Sequence, residues 1–528
     1  MRPHRILAAF GVTLAVAATA LWSVPLAQAE PGQLAQVAEL TGTQYRDSFV
    51  QRDGSRLSVA GRDSRFSGAN VEWLGLMNYG PDPSAAIPAG SARYATKYEV
   101  DDALATARDM GATVLRAQTL GDTVGCPQCL EPALGQFNPA AFAQIDLVVA
   151  EARNYGIKLI GEFDGDGNGA PAPGQLGQSH GWYCVWRQRA DCGHAFFTDP
   201  DLIGDYEQHM RAVLDHVNPL TGLAYKDDPT FAGWVDGNDL DIVDGVPGAD
   251  VVNWLRTVSG YFRTLDDRQL FMDISSVGTD PAALRIPGVD VYGTEYYPHW
   301  APVIDGNRID GAAPGLHQQA AQTVAAGKVF SPLEFGWDST DFLTPAALDQ
   351  FLTGLETDPN IAGDNFWALQ SHADGHGWQP IPADTRCTPT CAWGEDGNWW
   401  ALYYTGVDTL SMSAPDMAAR AQLLRAHAYR MAGFPDPPVH QPVPAPVITS
   451  AADGAVLFQG AAGAPDYTIQ KQTPDGWNTV CDHCTTDAAP AWRDTTDPGC
   501  YRVIGYNLDG LEGPASDPAG NCDRRPRP

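Results

Sequence analysis

Short apolar runs recur along residues 30–440, and amphipathic stretches of helical period separate most of them. Eight runs read as buried parallel strands: Val71–Asn78, Thr113–Leu120, Lys158–Phe163, Phe231–Asn238, Gln269–Ser276, Val289–Tyr297, Lys328–Gly336 and Gly363–Gln370. The clearest helix is Pro139–Tyr155, where Asn138 caps, Pro139 opens the first turn, and Phe142, Ile145, Val149 and Ala152 share a face. Asp201–Asn218, Ala249–Asp266, Thr344–Thr357 and Pro415–Met431 follow the same period. Strand followed by helix, repeated eight times, predicts an α/β fold of the (β/α)8 TIM barrel type, with a doubly wound sheet as the alternative.

The period changes near the C-terminus. "YTIQKQTPDGWNTV" and "YRVIGYNLDGLEGPAS" alternate polar and apolar residues around Pro-Asp-Gly and Leu-Asp-Gly turns. That pattern predicts a small all-β sandwich of the fibronectin type III kind. "FPDPPVHQPVPAPV" carries six prolines and reads as a stiff extended connection. The expected organisation is a leader at 1–29, a barrel at 30–440, a linker at 441–447 and a sandwich with a short tail at 448–528. The first segment has Arg2 and Arg5, an apolar stretch from Ile6 to Trp22, and Ala27-Gln28-Ala29, the features of a secretory signal peptide. A secreted, extracellular protein with no membrane attachment after cleavage is expected, and a monomer.

Composition narrows the classes. The 528-residue chain is 44% hydrophobic, which excludes a disordered polymer, and its formal charge of −31 excludes the basic stripe of a nucleic-acid binder. Ten cysteines suit an oxidising compartment. Neighbourhood pairing joins Cys126 to Cys129, Cys184 to Cys192, Cys387 to Cys391, Cys481 to Cys484 and Cys500 to Cys522; zinc at the two C-x-x-C pairs is the alternative.

A TIM barrel carries its chemistry at the C-terminal ends of its strands. Those ends bring Arg116; Glu162, Asp164 and Asp166; Trp234, Asp236, Asn238 and Asp239; Glu295, Tyr296 and Tyr297, with His299 and Trp300 beyond; Glu334; and Trp367, with His372 and His376 beyond. Acids and aromatics dominate. Two opposed carboxyls with aromatic platforms are what glycosidic cleavage requires: one protonates the leaving oxygen, the other attacks the anomeric carbon or activates water. Asp236 reads as a buried supporting acid. The histidines lack metal-ligand spacing and read as satisfied or ligand-contacting side chains, so no metal centre is assigned. "DGDGNG" opens like a calcium loop with Asp164, Asp166 and Asn168, but position twelve is Gln175, so a solvated loop is the main reading and calcium the alternative. Trp393, Trp399, Trp400, Tyr403 and Tyr404 form either a local core or a sugar platform. Trp477 and Trp492 give the tail a possible carbohydrate contact, with a spacer role as the simpler expectation.

Several stretches carry a resemblance: "FSGANVEWLGL", "LEPALGQFNPAAFAQIDLVVAEARNYGIKLI", "YCVWR", "DPDLIGDYEQHMRAVLDHVNPLTGLAYKDDPTFAGW" and "KVFSPLEFGW". Over about residues 45–440 the chain resembles glycoside hydrolase family 5, and most of all its β-mannanases. The resemblance implies retaining hydrolysis of a mannan-like polysaccharide, with Glu334 as nucleophile and Asp239 as acid/base. It assigns Arg116, Asn238, Tyr297 and Trp367 to substrate binding and to tuning of Glu334. Glu295, Trp73, Trp186 and Trp300 join the expected substrate contacts. Two departures stand out: Asn238-Asp239-Leu240 replaces Asn-Glu-Pro, and Glu295-Tyr296-Tyr297 replaces His-x-Tyr. Retaining enzymes hold their carboxyls about 5–5.5 Å apart, and an acid/base arm one bond (~1.5 Å) shorter changes that gap. A non-catalytic carbohydrate-binding barrel, or a hydrolase of an amino-sugar polymer whose ammonium groups offset the crowded acids, are the alternatives.

Overall fold

The computed structural model describes residues 42–77, 92–165, 179–190, 192–238, 240, 246–275, 278–296, 313–336, 345–369, 372–373, 377–378, 414–439, 441–485, 487, 491–496 and 498–522. A small antiparallel sheet comes first: β1 (Val50–Asp53), β2 (Arg56–Val59) and β3 (Arg62–Ser64). Eight parallel strands follow: β4 (Phe66–Asn70), β5 (Val114–Arg116), β6 (Lys158–Glu162), β7 (Phe231–Val235), β8 (Leu270–Ser275), β9 (Val291–Tyr296), β10 (Val329–Phe335) and β11 (Gly363–Phe366). They close in the order β10-β11-β4-β5-β6-β7-β8-β9, so the predicted barrel is present and the doubly wound sheet is not.

Seven of the eight predicted strands lie within their predicted runs. The first does not. β4 is Phe66–Asn70, one segment before the predicted Val71–Asn78. The periodicity misleads here because β4 is built of small residues for close approach. A Cβ on Gly68 would lie 1.8 Å from the Val114 carbonyl oxygen of β5. The apolar Val71, Trp73 and Leu74 are buried in the layer between strands and helices instead.

Helix Pro139–Tyr155 forms as predicted. Asn138 Oδ1 accepts the Ala140 amide at 3.0 Å, and Gly156 closes the helix in the left-handed region at φ 72°. Pro200–Asp215, Gly248–Leu265, Pro345–Thr357 and Ala414–Met431 match the other predicted helices to within a few residues. Helices at Lys97–Asp109, Ser179–Arg187, Cys192–Thr198 and Ala313–Ala325 add to them.

The barrel's N-terminal mouth is plugged. Val50, Leu57 and Val59 of the small sheet pack with Val114, Leu270, Val291 and Val329, each at the start of its strand. This closure leaves the opposite end for a ligand.

Beyond the barrel lie a two-stranded ribbon, β12 (His372–Ala373) with β13 (Gly377–Trp378), and two antiparallel sheets. One joins β14 (Val447–Ala452), β15 (Ala455–Gln459) and β18 (Trp492–Arg493); the other joins β16 (Asp466–Thr473), β17 (Gly476–Thr485), β19 (Cys500–Tyr506) and β20 (Ala519–Gly520). Val456, Phe458, Tyr467, Ile469, Tyr501 and Val503 form their shared core, and Val443 of the proline-rich stretch packs into it. The disulfides Cys126–Cys129, Cys184–Cys192, Cys481–Cys484 and Cys500–Cys522 follow neighbourhood pairing, so both C-x-x-C pairs are oxidised; Cys387 and Cys391 lie outside the described residues. Among the described residues no helix is long and apolar enough to cross a membrane.

Buried histidines fasten the C-terminal parts. His372, in β12 (His372–Ala373), places Nδ1 3.1 Å from Asp102 Oδ1 on helix Lys97–Asp109 and Nε2 2.6 Å from Asp487 Oδ1 in the tail. It is thus a satisfied side chain, one of the two readings above. His427 sits 2.9 Å from both Glu356 Oε1 and Asp364 Oδ2, and Asp364 also accepts Ser67 Oγ at 2.6 Å. Burial opposes a charge on His427, but Asp364 and Glu356 override it and hold the imidazolium up to about 9. The folded value exceeds the ordinary ~6.5, so the pair stabilises fully below about pH 6.5 and the contribution disappears as pH rises through 9. We expect the urea midpoint to fall across that window. His427→Gln should lower stability by about 3 kcal/mol at pH 6 and flatten the dependence, as measured by denaturation at stepped pH.

Candidate active site

The C-terminal mouth of the barrel is organised by one side chain. Arg116 ends β5 and is completely buried. Its Nη1 donates to Glu334 Oε2 at 2.6 Å and Asn70 Oδ1 at 3.0 Å. Its Nη2 donates to Glu162 Oε2 at 3.0 Å and Asn238 Oδ1 at 2.5 Å. Burial works against the charge, but Glu162, Glu334 and Glu295 outweigh it, so the guanidinium stays protonated. The planar fork thus fixes four acceptors drawn from β4, β6, the turn after β7, and β10.

Local sequence explains how each acceptor arrives. On β10, Pro332 has no amide hydrogen to give the ladder, and the register with β9 shifts between Ser331 and Glu334. That shift sets Glu334 opposite Glu295 of β9. After β7 the chain turns at Gly237, and the Asn238 amide donates to the Asp164 carbonyl at 3.2 Å. The Asn238 carboxamide is thereby held with its oxygen on Arg116. Leu240 is buried, so the segment is anchored on both sides of residue 239.

Around this centre lies a shell of acids. Glu162 is wholly buried, and burial pushes its carboxyl up to about 7 against the pull of Arg116. Burial likewise raises Asp122 well above the carboxylate range, with Glu162 and Asp164 adding repulsion. Asp236 is raised by burial and by Asp273, to which its carboxyl is hydrogen-bonded, so that pair holds a proton between them. Asp236 is therefore a buried supporting acid, and the Tyr206 hydroxyl donates to its backbone carbonyl at 2.7 Å.

The predicted site residues divide into three groups. Arg116, Asn238, Glu295 and Glu334 come together. Trp367 follows β11 with its amide donating to the Phe335 carbonyl at 2.7 Å, and its indole Nε1 has no partner among the described residues. Trp73 departs from expectation. It is buried in the core, and its indole N–H donates to the Leu369 carbonyl at 3.1 Å, so it braces the segment after β11 and offers no face to a ligand. Trp186 lies on helix Ser179–Arg187, edge-on to Tyr183 at 5.6 Å and tilted against Trp182 at 6.1 Å, partly exposed. Asp239, Tyr297, Trp300, Asp166 and Asn168 lie outside the described residues, as do His299, His376 and the aromatics from Trp393 to Tyr404. Asp164, the first residue of the calcium-like motif, is buried below the cleft.

Sequence reading missed Asn70 and Asp273 and assigned no role to Glu162. Asn70 ends the strand misplaced above; correct placement of β4 would have revealed it. Asp273 falls within a predicted strand, where alternation alone does not show that it faces Asp236.

Comparison with known proteins follows this geometry. Residues 47–282 match the family described as GH family 5 beta-mannosidase-like, a span that contains Arg116, Glu162 and Asn238 and stops before Glu295 and Glu334. The chain is 28% identical over 289 residues to mannan endo-1,4-beta-mannosidase 4 of Solanum lycopersicum, covering 52% of this chain and 66% of that protein. It is 32% identical over 235 residues to mannan endo-1,4-beta-mannosidase 4 of Oryza sativa, covering 42% and 45%. The chain thus spans about half to two thirds of the length of such relatives. Among solved structures, the endo-1,4-beta-mannanase of Rhizomucor miehei shares the fold with a TM-score of 0.53 at 20% identity, over 73% of this chain and 100% of that one. The endo-beta-1,4-mannanase of Thermotoga petrophila does so with 0.52 at 17%, over 87% and 98%.

Removing the guanidinium should leave the Glu162 and Glu334 carboxyls facing each other without a cation. We expect Arg116→Met to destabilise the chain by about 3–5 kcal/mol. Glu162→Gln added to Arg116→Met should recover part of that loss, as read by denaturant midpoints.

Proposed function

We propose that this chain is a secreted, retaining glycoside hydrolase that cleaves β-mannosidic bonds in a mannan-like polysaccharide. The observation that carries the reading is the Glu334 carboxyl at the open barrel mouth, held by Arg116 Nη1 at 2.6 Å and flanked by Asn238 on the same guanidinium. The similarity to mannan endo-1,4-beta-mannosidases supports the sugar, and residues 1–29 support export.

In this reading Glu334 attacks the anomeric carbon while Asp239 protonates the departing oxygen. Asp239 then deprotonates the water that displaces Glu334 from the glycosyl ester. Arg116 keeps Glu334 aimed through the contact of Nη1 with Oε2, and no substrate binding is required to build it. Asn238 turns its carboxamide nitrogen away from Arg116, where it is available to a sugar hydroxyl beside the bond cleaved. Trp367 presents an indole N–H with no acceptor among the described residues. The shell of acids gives the amino-sugar alternative its place in the test.

The test is reducing-end release from mannan, glucan, xylan, galactan and chitosan by the mature protein. We expect release from mannan, lost by about 10⁴-fold or more in Glu334→Gln and depressed about 10²–10⁴-fold in Asp239→Asn. Release from chitosan alone would move the substrate to an amino-sugar polymer. Binding of a polymer without release would make the barrel a carbohydrate binder.

A further inference from the structure

The two-carboxyl reaction gives no task to Glu162, which shares the Arg116 guanidinium with Glu334. Glu162 ends β6 and has no solvent-exposed surface. Its Oε2 accepts Arg116 Nη2 at 3.0 Å, while its Oε1 is buried with no hydrogen-bond partner among the described residues. The same guanidinium holds Glu334 through Nη1. One cation therefore serves two carboxyls, and only one of them borders the cleft.

We propose that Glu162 is a positioning residue for Glu334, acting through Arg116: as a neutral acid it leaves the guanidinium charge to Glu334, and on ionising it divides that charge. The inference rests on the reading of Glu334 as nucleophile and extends it.

Geometry explains why the second carboxyl holds a proton. A carboxylate needs acceptor capacity filled on both oxygens when water is excluded, and Oε1 has nothing to fill it. The groups facing it mostly share its sign: Glu334 from β10, Asp164 from its own strand end, Asp122 from the segment after β5, and Asp236 after β7. Tyr206 of helix Pro200–Asp215 also feels its charge. Arg116 from β5 is the cation that opposes them. Burial prevails, which places the proton exchange of Glu162 at about 7. Below that point the Arg116–Glu162–Glu334 group carries one guanidinium and one acid that is neutral. Above it, two anions pull on opposite edges of one fork, and the Nη1 contact that aims Glu334 weakens.

A residue that merely props Arg116 would hold the same contacts at every pH. The distinguishing measurement is the side-chain carboxyl ¹³C resonance of Glu334 in the full chain labelled at glutamate, assigned with Glu334→Gln and followed from acid to alkaline pH. We expect a step in the Glu334 resonance near pH 7, coincident with the titration of Glu162, and its loss in Glu162→Gln. A Glu334 curve with no step there, or a step that survives Glu162→Gln, would overturn the proposal. Should Glu162→Gln not fold, the wild-type curves decide, since coincident steps at both residues are required. The measurement needs no turnover. A chain that releases sugar from no polymer would sink the hydrolase reading and leave this coupling to stand or fall by its own resonance.

Discussion

Arg116 brings a permanent charge to a position that water does not reach, and the barrel mouth is arranged around that fact. An unpaired buried guanidinium would be intolerable, so acceptors must converge on it from several directions. Asn70, Glu162, Asn238 and Glu334 do so from separate strands that are distant in sequence. Closing the barrel is what brings them within reach, and once they are within reach their positions are mutually determined. The Glu334 carboxyl, the proposed nucleophile, is therefore aimed by a contact that also holds the fold together. The reactive geometry is in place before any ligand arrives, which is the condition under which charge stabilisation contributes most.

The surrounding acids would undo this if all were ionised. Glu162, Asp122 and Asp236 lie in the barrel mouth with a single guanidinium among them, and like charges at such spacing repel strongly where water is absent. The structure resolves the conflict with protons. Asp236 shares one with Asp273, and Asp122 and Glu162 are each pushed upward by burial. A neutral acid donates where a carboxylate can only accept, so the proton shared by Asp236 and Asp273 also supplies the donor of their hydrogen bond. The state of the site is thus set by proton count as much as by side-chain position.

How much of this was legible beforehand depended on the kind of signal. Strands carrying several large apolar residues, such as Val329, Phe330, Leu333 and Phe335 of β10, show plainly, and helix Pro139–Tyr155 carries its cap, its proline and its closing glycine in sequence. β4 did not show, because Phe66-Ser67-Gly68-Ala69-Asn70 is selected for narrowness, and a pattern that weighs hydrophobicity passes over it to the richer run that follows. Helix Lys97–Asp109 hid for a related reason: its buried residues are mostly alanines and acids, Ala103, Ala105 and Ala107 with Glu99, Asp102 and Asp109, although Thr96 and Glu99 form a capping box. Glu334, Arg116 and Asn238 were found from strand ends and resemblance. Trp73 was misjudged because sequence gives a tryptophan's position on a segment but not whether its indole faces a carbonyl or a cleft.

The departure at residue 239 is constrained by the same packing. Asn238 is tied through its side chain to Arg116 and through its amide to Asp164, and Leu240 is buried in the core. Between these two fixed neighbours the sequence has an aspartate, whose carboxyl is carried one methylene, about 1.5 Å, shorter than a glutamate's. In a retaining mechanism the two carboxyls must span the anomeric carbon and the leaving oxygen together. Glu334 is pinned on its side by Arg116. Under the proposed reaction, the shorter arm calls for a substrate whose leaving oxygen lies nearer to residue 239. The pocket that receives such a substrate would differ from one built around glutamate. As the proposed acid/base, the aspartate would bear on which glycan fits as well as on proton transfer.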